Sequence, residues 1–337
     1  MRSDWVAASV RARSMAQRRV GAGTCRSIAA APGLQAGLDR LADTVYGEEL
    51  NGARTLTEAH RATRRTVLWQ LRVLAGWLPA GGTRLIRAAA AAFEADNILA
   101  LDLVLRRQEA GANDGDAAAD FDLGGLATAW PRLRTASTSE ELQAALASSP
   151  WGDPGPDSAL PDVLTAVWLR RLTAEAAAVR PWAAAAAALI CARLLLVDGT
   201  APADRLVALL RPLLGTAWSS TGVRETRPSQ PHTSEPGNSE TRNSETLTPE
   251  TLRSTLPPSA AQALAGIDRS ADLWRAEAAL AVRIETDGFS LLRAGLPGPD
   301  VVLGAMTVLA ADAWRVRAAL AAAAVNAGAS EVLDAVA

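Results

Sequence analysis

The chain contains no lysine. All 34 of its basic residues are arginine, in a length of 337. One-sided usage of this kind reads as a bias toward GC-rich codons, but it also removes chemistry. It excludes a Walker A lysine, a Schiff-base lysine and a lysine general base. Histidine is nearly as scarce, with only His60 and His232, so histidine-based triads are not expected. Cys25 and Cys191 stand far apart with no Cys-x-x-Cys spacing. That argues for a reducing compartment and against a zinc site or disulfide framework. Aromatics make up 4% of the chain, and Trp supplies 10 of them. These Trp residues read as packing anchors, because they are not interleaved with basic residues as a nucleic-acid groove requires. The 34 basic and 36 acidic residues leave a formal charge of −2, so nothing global favours a nucleic acid or an anionic membrane. Long apolar runs are missing too. The longest, Trp182 to Ala192, is closed by Arg193 and falls short of the ~20 residues a spanning helix needs. Arg11, Arg13, Arg18 and Arg19 are followed by no apolar stretch, so no secretory leader is expected. The reading is a cytoplasmic protein with no direct membrane insertion.

What is abundant favours helix. Hydrophobic residues reach 49% and are mostly Ala, Leu and Val. Ala and Leu lose little side-chain entropy in a helix. Thr55-x-x-Glu58 has the pattern of a capping box. Leu56, Thr63, Val67, Leu71, Leu74 and Leu78 then recur on one helical face, with Arg61, Arg64, Arg65 and Arg72 largely off it. Pro79 to Gly82 ends that segment. Further helices are expected over 5–20, 34–44, 84–109, 161–179, 181–197, 270–286 and 300–326. A second capping box, Ser137-x-x-Glu140, is expected to start the helix between them. No alternating run supports a strand, so the expected class is all-α, helix packed on helix.

One phrase occurs twice. Leu41-Ala42-Asp43-Thr44-Val45-Tyr46-Gly47 reads Leu-Ala-x-Thr-x-aromatic-Gly. It returns 105 positions later as Leu146-Ala147-Ser148-Ser149-Pro150-Trp151-Gly152. A period of that size is a small domain, not a solenoid turn, and the chain holds about three of them. The acidic loop from Asn113 to Asp120 and the turn Asp198-Gly199-Thr200 mark boundaries. Modules are therefore expected at 1–118, 119–198 and 199–337. The third is interrupted at about 219–248 by a polar insert, in which Asn238-Ser239-Glu240-Thr241 is copied as Asn243-Ser244-Glu245-Thr246. The insert holds too little apolar surface to offset ordering entropy and is expected to be disordered. The best remnant of a third phrase is Leu252-Arg253-Ser254-Thr255.

Several stretches, in order, resemble the C subunit (d in eukaryotes) of V-type and A-type rotary ATPases. Trp5 to Arg13 is similar to that family's aromatic-led opening helix with its Arg-x-Arg. Leu41 to Gly47 resembles its Leu-x-x-Thr-x-Tyr phrase. Phe93-Glu94-Ala95-Asp96-Asn97-Ile98 resembles, in shortened form, its Tyr-x-x-Asp-x-x-Asn-Ile helix, with Leu105-Arg106-Arg107 where the family has Leu-Arg. Phe121 to Gly125 resembles its Phe-x-x-Gly-Gly domain junction. Ala310 to Arg317 resembles its last helix, usually Lys-Glu-x-Glu-Ile-x-x-Ile-Arg. The chain departs from the pattern in three places. It has Ala310-Ala311-Asp312 in place of Lys-Glu. It has no Asp-x-x-Asn counterpart between Ala183 and Val197, and its polar insert is atypical of the family.

The resemblance implies three related three-helix domains forming a funnel with pseudo-threefold symmetry. Such a funnel caps the cytoplasmic face of the membrane rotor ring and receives the foot of the central stalk. It implies a coupling subunit for proton or sodium transport that is non-catalytic and holds no cofactor, metal or nucleotide. Its partners would be the stalk subunits and the ring. Candidate partner-contact or module-junction residues are Arg11, Arg13, Asp96, Asn97, Arg106, Arg107, Asp312, Arg315 and Arg317. Arg61, Arg64, Arg65 and Arg72 form a basic stripe, but without a motif or an overall positive charge a nucleic-acid partner is not expected. His60 reads as an ordinary half-exposed side chain and Cys191 as a small core residue. Two other readings remain open. One is an all-α scaffold or adaptor with no rotary role. The other is an all-α enzyme, for which the acids Glu48, Glu49, Asp114 and Asp116 would have to converge from separate helices.

Overall fold

Helices α1 (Val6–Gln17), α2 (Gly21–Ala29), α3 (Leu34–Asp39) and α4 (Gly47–Leu50) precede the long α5 (Leu56–Ala75) and α6 (Thr83–Glu109). Next, α7 (Trp130–Leu133) and α8 (Ser139–Ala147) lead to α9 (Leu160–Glu175) and α10 (Arg180–Ala192), which runs on as a π-helical turn, Arg193–Val197. Then α11 (Asp204–Leu214), α12 (Pro249–Thr255) and α13 (Pro258–Ala261) precede the long α14 (Leu273–Arg293) and α15 (Pro299–Ala324). This computed structural model describes residues 3–79, 81–112, 120–155, 159–215, 218, 248–293 and 295–327. The insert expected at 219–248 lies outside the described residues except for Thr248. Among the described residues every regular element is helical, as the all-α expectation required.

Local chemistry accounts for the boundaries. At the start of α5 the Thr55 side chain accepts from the Glu58 amide, while the Glu58 carboxylate accepts from the Thr55 amide at 2.9 Å. The second cap sits one residue later than the sequence pattern suggests. Thr138, not Ser137, caps α8 by accepting from the Glu141 amide, and Glu141 takes the Ser137 amide and hydroxyl. Adjacent hydroxyls and adjacent acids make both registers chemically sensible, and the structure selects one. Helix α14 starts and ends later than expected, and α1 stops earlier, at Gln17.

Contacts between the long pairs run in one sense. Helix α9 lies against α6, α14 against α10, and α5 against α15. The last helix also carries α1, α2 and α3 on its surface. A small core forms there from Ile28, Leu41, Tyr46, Val316 and Leu320, separate from the larger core of the rest. Within the last pair, α14 and α15 cross at two glycines. A Cβ on Gly288 would meet Thr307 Oγ1 at 2.4 Å, and one on Gly304 would meet the Gly288 carbonyl at 2.5 Å. The span Ala177–Val197 is 21 residues and apolar enough to cross a membrane by length and composition. That amends the sequence reading, which counted only its uninterrupted apolar run. Its window is 61% buried inside the protein, packed on α9, α11 and α14.

Candidate functional site

The repeated phrase is one piece of backbone chemistry used twice. In the first copy, Thr44 Oγ1 donates to the Leu41 carbonyl at 2.7 Å and accepts from the Tyr46 amide at 3.3 Å. In the second, Ser149 Oγ donates to the Leu146 carbonyl at 2.8 Å and accepts from the Trp151 amide at 3.1 Å. The phrase needs a hydroxyl at that place because it stands in for a backbone turn. The turn sends the aromatic ring inward, and Tyr46 and Trp151 are fully buried. The closing glycine has a different reason in each copy. A Cβ on Gly47 would lie 1.9 Å from the Ala42 carbonyl oxygen, while Gly152 adopts φ +74°.

Each buried ring carries a polar atom, and each finds a buried carboxylate on a long helix. Tyr46 Oη donates to Asp312 Oδ2 at 3.0 Å. Trp151 Nε1 donates to Glu94 Oε2 at 3.1 Å. Each carboxylate also caps a short helix that has no capping side chain of its own. Asp312 accepts the Val20 and Gly21 amides at 3.0 and 2.7 Å, at the start of α2. Glu94 accepts the Thr128, Ala129 and Trp130 amides at 2.8, 2.7 and 2.7 Å, at the start of α7. A single acid therefore ties three segments together: a long helix, a short helix and an aromatic turn. Burial and Asp312 together push the Tyr46 phenol well above its ordinary range.

A third copy sits at the end of α11. Leu213-Leu214-Gly215-Thr216-Ala217-Trp218 reads Leu-x-x-Thr-x-aromatic, and Trp218 is buried. The remnant expected at Leu252 to Thr255 instead lies inside α12. Helix α11 packs on α10 as α3 packs on α15 and α8 on α6. Glu94, Asp312 and Cys191 each precede an alanine in an Ala-rich stretch of α6, α15 and α10, 11, 13 and 11 residues past the first residue of their helices. Cys191 is buried in α10, which packs on α11. Trp218 Nε1 is buried with no hydrogen-bond partner among the described residues. No short helix lies between Val197 and Asp204 to need capping.

The residues singled out from sequence divide between junctions and surface. Asn97 is a junction: its Nδ2 donates to the Phe121 carbonyl at 3.0 Å and its Oδ1 accepts the Phe121 amide at 2.8 Å. Asp96 pairs with Arg64. Burial raises its carboxyl above the usual range, opposed by Arg64, Arg317 and Arg61. Arg315 forms a buried ion pair with Glu285 that joins α14 to α15. Arg317 is half-buried, its carbonyl lies 3.0 Å from His60 Nε2, and burial lowers its guanidinium. Arg13 Nε donates to the Leu292 carbonyl at 3.1 Å. Arg11 is half-buried, with an Nε that has no hydrogen-bond partner among the described residues. Arg106 pairs with Asp102 one turn earlier, and it and Arg107 are exposed at the end of α6.

The basic stripe on α5 is engaged within the protein. Arg61 stacks on Phe121 at 4.5 Å, Arg65 pairs with Glu49 and Arg72 with Asp122. Sequence reading missed Glu94, Glu285 and Trp218. The available signal was the need of each phrase aromatic for a polar partner. Among the described residues no group of three His, Cys, Asp or Glu side chains converges as a metal site. Set beside known protein families and curated proteins, the chain matches none.

Proposed function

We propose that this chain is the non-catalytic central-stalk subunit of a V-type or A-type rotary ATPase. In this reading, three related helical modules surround a rotor axis, cap the membrane ring and receive the foot of the stalk. The observation that carries the proposal is the carboxylate-anchored aromatic turn, built the same way at Tyr46–Asp312 and Trp151–Glu94 and present as a phrase at Trp218. A turn recurring with the same partner chemistry supports descent from one repeated unit more strongly than a string of letters does.

The packing order supports the same reading. With α5/α6, α9/α10 and α14/α15 as the long pairs, the first helix of each pair lies on the second helix of another, and the three contacts close a cycle. A cyclic set of three units suits a part that surrounds a shaft. Transmission of torque also calls for stiffness, which close-packed Ala-rich helices and buried polar ties provide. In this role Arg106 and Arg107 are rim residues available to a partner, Asn97 and Asp312 hold the modules together, and Arg315 ties the two long helices of the third to each other.

Loss of the subunit should separate the two halves of the machine. Membranes from cells lacking the chain are expected to hydrolyse ATP without ATP-driven ion uptake, and added full-length protein should restore uptake. Undiminished uptake in its absence would reject the proposal.

A further inference from the structure

The C-terminal ends of α1 and α14 meet at a cleft of about 380 Å³ lined by Arg13, Arg19, Arg293, Gln17 and an apolar floor of Ala16, Phe289 and Leu292. No acidic residue lines it among the described residues, in a chain whose formal charge is −2. Arginine near a helix C-terminus ordinarily serves the last carbonyls. Arg13 does this at the Leu292 carbonyl, and Arg19 does it with one N–H to Ala16 at 3.3 Å. The Phe289 ring goes further. The Arg19 guanidinium lies 4.7 Å and that of Arg293 5.8 Å from its centroid. Held by the ring, each guanidinium has a planar fork suited to bidentate carboxylate binding. Arg293 is exposed. The volume is at the small end of ligand pockets.

We propose that this cleft binds an acidic segment of a partner polypeptide, with side-chain carboxylates on Arg19 and Arg293 and an aliphatic side chain on the Phe289–Leu292 floor. The mixed lining favours a peptide over a bare anion, which would leave the apolar floor uncovered. The cleft shares no residue with the aromatic turns, and the inference does not depend on the rotary reading.

The test uses full-length protein and a fluorescent peptide of alternating Glu and Leu, followed by anisotropy. Binding should weaken about tenfold in the Arg19→Gln/Arg293→Gln double variant, as expected for two exposed charge pairs of up to about 1 kcal/mol each. A Lys–Leu peptide should not bind, and millimolar inorganic phosphate should not displace the Glu–Leu peptide. In the wild-type protein, which needs no substitution to be tolerated, the peptide should slow amide exchange at the ends of α1 and α14. Equal affinity of wild type and double variant would overturn the proposal. So would displacement by phosphate, binding to anionic vesicles without binding to the peptide, or exchange protection confined to other helices.

Discussion

Trp151 and Trp218 occupy the same place in the same phrase, yet only one has an acceptor. That contrast gives a clean prediction. Both Trp→Phe changes lose similar volume, but only Trp151→Phe loses a bond to a charged group, worth about 1.5–3 kcal/mol. Urea unfolding should therefore show Trp151→Phe to be less stable than Trp218→Phe by about 2 kcal/mol, and equal effects would refute the assignment. Asp312→Ala leaves the Val20 and Gly21 amides and the Tyr46 hydroxyl without their acceptor. It should cost about 4 kcal/mol, the exceptional end of single substitutions. Both thiols are held protonated, each pushed up to about 12 chiefly by burial. Folded protein at pH 8 should resist maleimide, and unfolding in urea should expose both sulfurs to labelling.

At the scale of the element, the crossing of α14 and α15 inverts an ordinary preference. Gly→Ala inside a helix usually stabilises by about 1 kcal/mol. At Gly288 the added methyl would meet Thr307 Oγ1 at 2.4 Å, so Gly288→Ala should lower stability by about 1–3 kcal/mol through overpacking, read as a lower unfolding midpoint. Acid sensitivity also belongs to elements. Glu58, Glu141 and Glu109 have carboxyls lowered chiefly by hydrogen bonds from backbone amides around the starts of α5 and α8. A carboxyl depressed in the folded state stabilises above its ordinary range, and that contribution is lost as pH falls through the folded value. Stability should fall below the ordinary carboxylate range, and less steeply in Glu58→Gln. How far such features were readable depended on their distance along the chain. The Thr55–Glu58 box is local and was plain from spacing. The α8 cap was misplaced by one residue because Ser137 and Thr138 offer the same hydroxyl. Asn97 could be singled out, but not its partner Phe121, 24 residues away.

For the whole molecule, the helical class follows from composition, whereas the organisation rests on contacts no local pattern encodes. Tyr46 and Asp312 are 266 residues apart, and Trp151 and Glu94 are 57 apart. The third phrase is faint in the sequence because Leu214 and Ser219 stand where the other two copies have Ala and Gly. The turns at Tyr46 and Trp151 each tie short helices to a long one, and the long helix pairs pack against one another. The central claim is that this arrangement serves a rotor. Native mass spectrometry of the affinity-tagged full-length chain, extracted from membranes of the cells that make it, tests that claim most directly. One copy of the chain is expected in a complex with central-stalk subunits and a ring of small membrane subunits. Recovery of the chain alone, or only with soluble proteins unrelated to such a machine, would contradict it.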